Sequence, residues 1–518
     1  MKPLKRLLLV ATCFLMGNTH LNAQDLIIDL PYNISDTLSY TYSLRGGSAE
    51  QREQIALLTD QLLEGECVEI MSQNDQTNDD MIDLICTITD QNQIIIGTQI
   101  INFKNEKQAS KLLAKYLDRY YRSGSAPTNT VVFRSGEEGY AEYRIPSIMA
   151  LPTGRLLAYT EARAFHKDNA ENNLVVKYSD DKGDTWSSPI LIREEGESSM
   201  NNPCAIFLEE SQTVMLIYEL YPPKTSEANS LSGVEGDNIQ KVFSITSSDY
   251  GLTWSEPTNI TAQIKHPKAS VVCSGPGVGI IAQGGKSKGR IIIPFNALTD
   301  NNHWFNYLGY SDDRGESWKI LEGCSEYGTN ESQIVEVADD TFMIFARCHR
   351  FEDSPTAQTP SGWSPWNFAK LTRYRAKITV KIDGDQAQWS STVIDRNLPD
   401  PLCQGSALRL GVDKGDLPSR ILVSNPASLY TMTPGQRGYG GTPPARINGT
   451  TRISYDGGES WTYSKRIFGN RLTSFGYSVL VDMGSGDIGT IYECNGVIHF
   501  SRYDLQWLTS GEDLGKGL

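Results

Sequence analysis

Arginines, carboxylates and tyrosines, rather than histidines or cysteines, occupy the segments of this chain best suited to chemistry. Tyr143-Arg-Ile-Pro146 is the most distinctive, and it places Arg144 about 35 residues ahead of the first of several repeated turns. Arg163 and Asp168 stand five residues apart in Glu161-Ala-Arg-Ala-Phe-His-Lys-Asp-Asn-Ala170. Glu331 opens Asn330-Glu-Ser-Gln-Ile-Val-Glu336, and the apolar run Met343-Ile-Phe-Ala346 leads from there to Arg347. Arg446 precedes Ser454 by eight residues, Tyr477 lies in Ser474-Phe-Gly-Tyr-Ser-Val-Leu480, and Glu493 ends Ile491-Tyr-Glu493. A guanidinium stays charged at every working pH and donates in pairs, so a group of arginines suits a planar carboxylate. A carboxylate moves protons, and a phenol of pKa ~10 becomes a nucleophile only beside a base. Taken singly these residues are ordinary: Asp168 has the composition of a solvated turn, and Tyr477 is one of 24 tyrosines.

What would position them is a repeat. Ser179–Trp186, Ser247–Trp254, Ser311–Trp318 and Ser454–Trp461 all fit S-x-D-x-G-x-[ST]-W, and Lys381–Trp389 is a degraded copy. The closing tryptophans are spaced by 68, 64, 71 and 72 residues, the mark of one supersecondary unit repeated. Ser and Asp fold back onto nearby backbone N–H groups, Gly supplies a positive φ, and the tryptophan staples the turn to the sheet beneath. Alternating strands such as Asn173–Tyr178 and Gln240–Ile245 run into these turns. A unit of ~65 to 70 residues holds about four strands, one blade of a β-propeller. Five marked units and the stretch after Trp461 make six blades, and the strand at Gly496–Ser501 is expected to pair with Thr130–Phe133 and close the ring.

The repeated turns together with Tyr143-Arg-Ile-Pro146 make residues 128–508 resemble the exo-sialidases, or neuraminidases, of bacteria and animals, whose repeated turns are called Asp-boxes. The resemblance implies hydrolysis of terminal sialic acids from glycoproteins, glycolipids or oligosaccharides, with retention through a tyrosyl-enzyme intermediate. It assigns Arg144, Arg347 and Arg446 to the sugar's carboxylate, with Arg437 the alternative to Arg446 and Arg452 a strand residue that is solvated or paired between blades. Tyr477 becomes the nucleophile, since a neutral phenol approaches an anionic sugar without the repulsion a carboxylate would meet, and Glu331 its base. Asp168 becomes the acid/base, Glu493 the support of Arg144, and Arg163 a neighbour of the glycerol or 4-hydroxyl side. Asn202, in Met200-Asn-Asn-Pro-Cys204, becomes a further sugar contact, and His166 is incidental.

Met1–Arg6 is basic, Leu7–Met16 apolar and Leu21-Asn-Ala23 small, so residues 1–23 read as a signal peptide. Threonine before Cys13 makes a poor lipoprotein site. The expected location is secreted or periplasmic, or cell-surface associated. No apolar run reaches the ~18 residues of a membrane span. A net charge of −15 argues against nucleic acid and anionic membranes as partners. The eight cysteines left after Cys13 have no metal-ligand spacing, so no metal or cofactor is expected; free thiols are the expectation, with Cys67–Cys86 an alternative bridge.

Residues 24–124 read as a small α+β accessory domain: a capping box at Ser48–Gln51 opening a helix to Gly65, strands at Ile82–Cys86 and Ile94–Ile96 in a hairpin, and a helix from Asn105. Its Ala109, Leu112, Leu113, Tyr116, Leu117 and Tyr120 recur at helical spacing, so that face is core. Carbohydrate binding and support of the propeller are both open for this domain. In the insertion 351–370, Trp363 and Trp366 suit either an aglycone platform or a loop anchor. A sialic-acid-binding lectin would keep the arginines without turnover, and a scaffold propeller would keep the turns alone; Asp168, Glu331 and Tyr477 together favour an enzyme. Transfer to another sugar, or intramolecular release of an anhydro product, uses the same residues and stays open. The oligomeric state is not legible in the sequence.

Overall fold

The computed structural model describes residues 39–45, 69–70, 82–89, 95–103, 127–351, 354–358, 372–411, 420–429, 445–468 and 474–515. The chain forms two compact units, one of residues 1–127 with Tyr463–Asn470 and Asp504–Lys516, the other the remainder. In the first, Ser39–Arg45 pairs parallel with Glu69–Ile70 and antiparallel with Ile82–Thr89, which forms the expected hairpin with Ile95–Phe103. The two expected helices, Cys67, Arg437, Trp363 and Trp366 lie outside the described residues.

The second unit is a six-bladed β-propeller whose blades are mainly antiparallel sheets. Blade 1 comprises Glu142–Ala150, Leu156–Arg163, Asn173–Ser179 and Ile190–Arg193. Blade 2 begins with Ser199–Leu208, Thr213–Tyr221 and Lys241–Ser247, and blade 3 with Ala269–Ser274, Ile291–Thr299 and Trp304–Ser311. Blade 4 is built on Thr329–Ala338, Thr341–Cys348, Tyr374–Asp383 and Gln386–Trp389. Blade 5 contributes Ser406–Leu410, Arg420–Pro426 and Gly449–Ser454, the first three strands of a four-stranded sheet. Blade 6 unites Ser478–Asp482, Asp487–Cys494 and Val497–Asp504 with Thr128–Arg134 from the start of the propeller. The register Ile498↔Phe133, Phe500↔Thr130 closes the ring as the alternation predicted, with Thr128–Arg134 as the outer strand covering the edge of Val497–Asp504.

Each intact repeat joins the third strand of its blade to the fourth. In the first, the Ser179 hydroxyl donates to Asp181 (2.7 Å) and accepts from the Gly183 amide (2.8 Å). Asp181 in turn accepts from the Thr185 amide (2.9 Å) and hydroxyl (2.6 Å). The anchoring differs from the expectation in one respect, because the turns pack on the preceding blade rather than only on the sheet beneath. Trp186 meets Phe500 of blade 6, Trp254 meets Tyr159 of blade 1, and Trp461 meets Phe345 of blade 4, all edge to face. Gly183, at φ +87°, leaves no room for a Cβ against the Phe500 ring. The core accordingly lies between blades: Leu157, Tyr159 and Val176 of blade 1 pack with Ala205, Leu216 and Ile245 of blade 2. Arg452 is a second correction. It is a strand residue as expected, but it is buried rather than solvated, and it donates to the Asn425 side chain (3.0 Å) of its own sheet.

Candidate active site

Where a turn joins the third strand of a blade to the fourth it lies at one end of the sheet, so the other end is left for function. The start of a first strand, the end of a second and the start of a third meet there, as Arg144↔Glu161 and Ala162↔Asn173 show in blade 1. The first strands of blades 1, 2 and 4 bend where they carry candidate site residues. Register shifts fall between Arg144 and Ser147, Asn201 and Cys204, and Thr329 and Ser332, and such bulges re-aim side chains. Ile145 takes φ +57°, an unfavourable conformation for a β-branched residue held in place by its surroundings. Its amide and the Arg144 Nε donate to the same oxygen of Glu493, at 2.8 and 2.7 Å. Tyr-Arg-Ile-Pro is thus a bulge that directs an arginine against a carboxylate of blade 6.

Around Tyr477 the structure brings together residues from blades 1, 4, 5 and 6. The Tyr477 hydroxyl donates to Glu331 Oε1 in a short hydrogen bond, while Arg347 Nη1 donates to Oε2 of the same carboxylate at 2.9 Å. The guanidinium carbons of Arg144 and Arg446 stand 5.3 and 5.6 Å from the centre of the Tyr477 ring. Arg446 Nη2 donates to the Leu402 carbonyl (3.0 Å), and Cys403 and Ile145 pack with the nucleophile candidate. Burial foremost, and then the Glu331 carboxylate, push the Tyr477 phenol well above its ordinary value against the pull of Arg347 and Arg446. It is therefore a neutral phenol poised beside a proton acceptor.

Asp168 sits on the loop between the second and third strands of blade 1, with 83% of its side chain exposed. Its Oδ1 accepts from Arg163 Nη1 at 3.0 Å and lies 3.9 Å from Arg144 Nη1, joining it to the arginine group. Desolvation within the site opposes charge on Asp168, but Arg163 and Arg144 outweigh it and hold the carboxyl below its usual range. Arg163 itself is buried, and its Nε and Nη2 donate to Glu161 Oε2 at 3.0 and 2.7 Å. Asn202, at φ +54°, gives its amide to Glu161 (2.9 Å) and its Nδ2 to Glu219 (3.1 Å), a fully buried carboxyl pushed up to about 8 by burial. His166 is exposed, 3.7 Å from Glu142.

All nine residues singled out from the sequence thus lie at one end of the propeller, in direct contact or through one shared partner. Glu161, Glu219, Asn172 and Asn201 were not anticipated. For Glu161 there was a signal: positions i and i+2 of a strand share a face, so Glu161-Ala-Arg163 already sets a carboxylate beside a guanidinium. For Glu219 there was none, since an acidic residue in Leu-Ile-Tyr-Glu-Leu-Tyr reads as the solvated side of a strand. Among the described residues no three or more His, Cys, Asp or Glu side chains gather as a metal site would need.

One end of the six-bladed propeller thus carries a buried tyrosine–glutamate–arginine chain, two further arginines and a carboxylate, a concentration of guanidinium groups whose chemistry suits an anion. Residues 154–490 match the model of the BNR repeat-like domain, and the chain belongs to that family. It is similar to a sialidase of Micromonospora viridifaciens, 29% identical over 72% of this chain and 53% of the relative, and to one of Bacteroides fragilis, 24% identical over 70% and 62%. The chain therefore spans a little over half of those relatives' length. Among solved structures, the Hadza microbial sialidase Hz136 shares the fold with a TM-score of 0.61 at 22% identity, over 82% of this chain and 74% of the other.

Proposed function

We propose that the protein is an exo-α-sialidase that hydrolyses terminal sialic acids from glycoproteins, glycolipids or oligosaccharides with retention of configuration. The observation that carries this reading is the chain Tyr477–Glu331–Arg347, a phenol bonded to a carboxylate that an arginine holds in place. A phenol needs a base only if it is to attack, and an enzyme that must attack a carbon bearing a carboxylate gains from a nucleophile that is neutral until it reacts. The similarity to sialidases supports the same choice.

In this reading Arg144, Arg347 and Arg446 bind the sugar carboxylate, the first two aligned by Glu493 and Glu331. Tyr477 Oη attacks the anomeric carbon as its proton passes to Glu331, and Asp168 gives a proton to the departing glycosidic oxygen. Asp168 then takes a proton from water, which attacks the same carbon; the tyrosyl bond breaks and the proton on Glu331 returns to the phenol. A bound carboxylate offsets the pull of Arg144 on Asp168, so substrate binding itself favours the protonated acid. Arg163 lies on the glycerol or 4-hydroxyl side, through the Nη1 it shares with Asp168, and Asn202 is a further sugar contact. Residues 1–23 act as a signal peptide for a secreted, periplasmic or surface location, ahead of an accessory domain at 24–124.

Incubation with 3′-sialyllactose, followed by NMR of the first-formed sugar, tests the reading. Free sialic acid released as the α-anomer supports it, whereas sialyllactose left uncleaved, or a first-formed β-anomer, refutes it. An anhydro sugar, or sialic acid appearing on an added acceptor, would replace hydrolysis by the intramolecular or the transfer reaction.

A further inference from the structure

Asp168 presents a physical difficulty. It is an exposed residue on a loop, yet a group that protonates a leaving oxygen must be held within hydrogen-bond reach of it. Its loop, Ala164–Glu171, contains no regular secondary structure. What restrains it lies beneath, in a single fully buried carboxylate, Glu161.

Glu161 Oε2 accepts from Arg163 Nε and Nη2 at 3.0 and 2.7 Å, a forked pair that fixes the guanidinium plane and turns Nη1 outward to Asp168 Oδ1 at 3.0 Å. The same Oε2 accepts from Asn172 Nδ2 (3.3 Å), and Oε1 accepts from Asn201 Nδ2 (3.1 Å). Those two amides also reach the backbone carbonyl of Asp168, at 2.7 Å from Asn172 and 3.1 Å from Asn201. Glu161 is thus tied to Asp168 by three routes, one through the side chain and two through the main chain, drawn from blades 1 and 2. A buried carboxylate is costly unless its lone pairs are used, and here every side chain that uses them, the Asn202 backbone amide apart, also holds Asp168.

We infer that Glu161 is a positioning residue for proton transfer, which sets both the carboxyl and the backbone of Asp168 without touching substrate. The inference rests on the sialidase reading and on Asp168 as its acid. Glu161→Gln keeps shape and volume but removes the charge that fixes Arg163 and turns one acceptor into a donor facing donors.

The test compares two substrates with wild type, Asp168→Asn and Glu161→Gln. Sialyllactose has a poor leaving group that needs a proton; an aryl sialoside releases a phenolate that does not. For Glu161→Gln, kcat/KM on sialyllactose should fall on the order of 10²-fold, within the range of general-acid contributions, while the aryl substrate loses less than about tenfold. Asp168→Asn should show the same pattern more strongly. An equal loss on both substrates, or no loss, for a folded Glu161→Gln overturns the inference and leaves the sialidase reading intact. Should Glu161→Gln lack the wild-type cooperative unfolding transition, Asn201→Ala carries the same comparison, and an equal loss there overturns the inference. A wild-type protein inert on both substrates overturns the sialidase reading itself, and an Asp168→Asn variant indifferent to the leaving group overturns Asp168 as acid.

Discussion

Replacing Tyr477 by Phe deletes one oxygen at the centre of the arginine group and leaves the ring in place. The ring's packing against Cys403 and Ile145 and its approach to Arg144 and Arg446 are retained, so the loss to stability is that of one hydrogen bond. Bonds to charged acceptors are worth about 1.5 to 3 kcal/mol, but Glu331 keeps its 2.9 Å partner Arg347, which places the cost toward the lower end, about 1.5 kcal/mol. Turnover should respond on a different scale, because the deleted oxygen is the one that forms the intermediate: kcat should fall on the order of 10³-fold or more, as when a nucleophile is removed from a catalytic unit. Urea unfolding gives the first quantity and sialyllactose hydrolysis the second. A 3-fluorosialosyl fluoride supplies the third measurement, since the fluorine beside the anomeric centre slows breakdown of the adduct while the fluoride leaves readily. Intact mass should rise for wild type and not for Tyr477→Phe. An adduct mapped to Glu331, or a Phe variant with wild-type kcat, would refute the assignment of roles.

Arg144→Lys and Arg347→Lys keep the charge but lose the paired planar donors, so substrate binding should weaken by about 1.5 to 3 kcal/mol, read as KM for sialyllactose; unchanged kinetics would count against the clamp. Gly183→Ala puts a methyl at φ +87° into the Phe500 ring, and should cost on the order of 3 kcal/mol in urea unfolding while activity per folded molecule persists. Asp181 is held at about 2, first by the Thr185 hydroxyl and amide and then by Ser179. A carboxyl depressed in the folded state adds stability above its unfolded value of ~3.9 that is lost as pH falls toward 2, so melting temperature should drop through that window and do so less in Asp181→Asn. The proposed chemistry runs on a phenol, two carboxylates and guanidiniums, so activity should survive dialysis against EDTA; loss restored by calcium or zinc would reveal a metal site.

The propeller was legible because its signal is repeated: a turn that recurs with its Ser, Asp, Gly and Trp fixes the unit, and the alternating runs between copies fix the strands. The ring closure was legible as well, from apolar runs at both ends that had no other partner. The direction in which Trp186 and Trp461 pack was not, since a local motif says nothing of which blade it faces. The site residues were found through resemblance, because an arginine such as Arg446 carries no mark of its distant partners. Glu219 and Asn201 stayed hidden too: Glu219 bonds Asn202 across the bulge between two neighbouring strands, and Asn201 reaches Glu161 on the adjoining blade, neither of which a local pattern shows. The burial of Arg452 was hidden too, since a charged residue on a strand reads as solvated until the neighbouring sheet is known.

Closing the ring with Thr128–Arg134 beside Val497–Asp504 also sets an order of events during biosynthesis. The first strand of the propeller to emerge waits for the last, and contacts so distant in sequence form late. Until then two unpaired edges are presented to other chains, a hazard for a protein of this length. The same juncture assembles the site, because Arg144 on the first blade takes its bearing from Glu493 on the last, and Tyr477 of the last blade faces Glu331 of the fourth. A chain interrupted before residue 493 would retain most of its Asp-boxes and blades and still lack the clamp's support. Appearance of activity during refolding is therefore a clock for the final latch, and should lag the recovery of β-sheet signal.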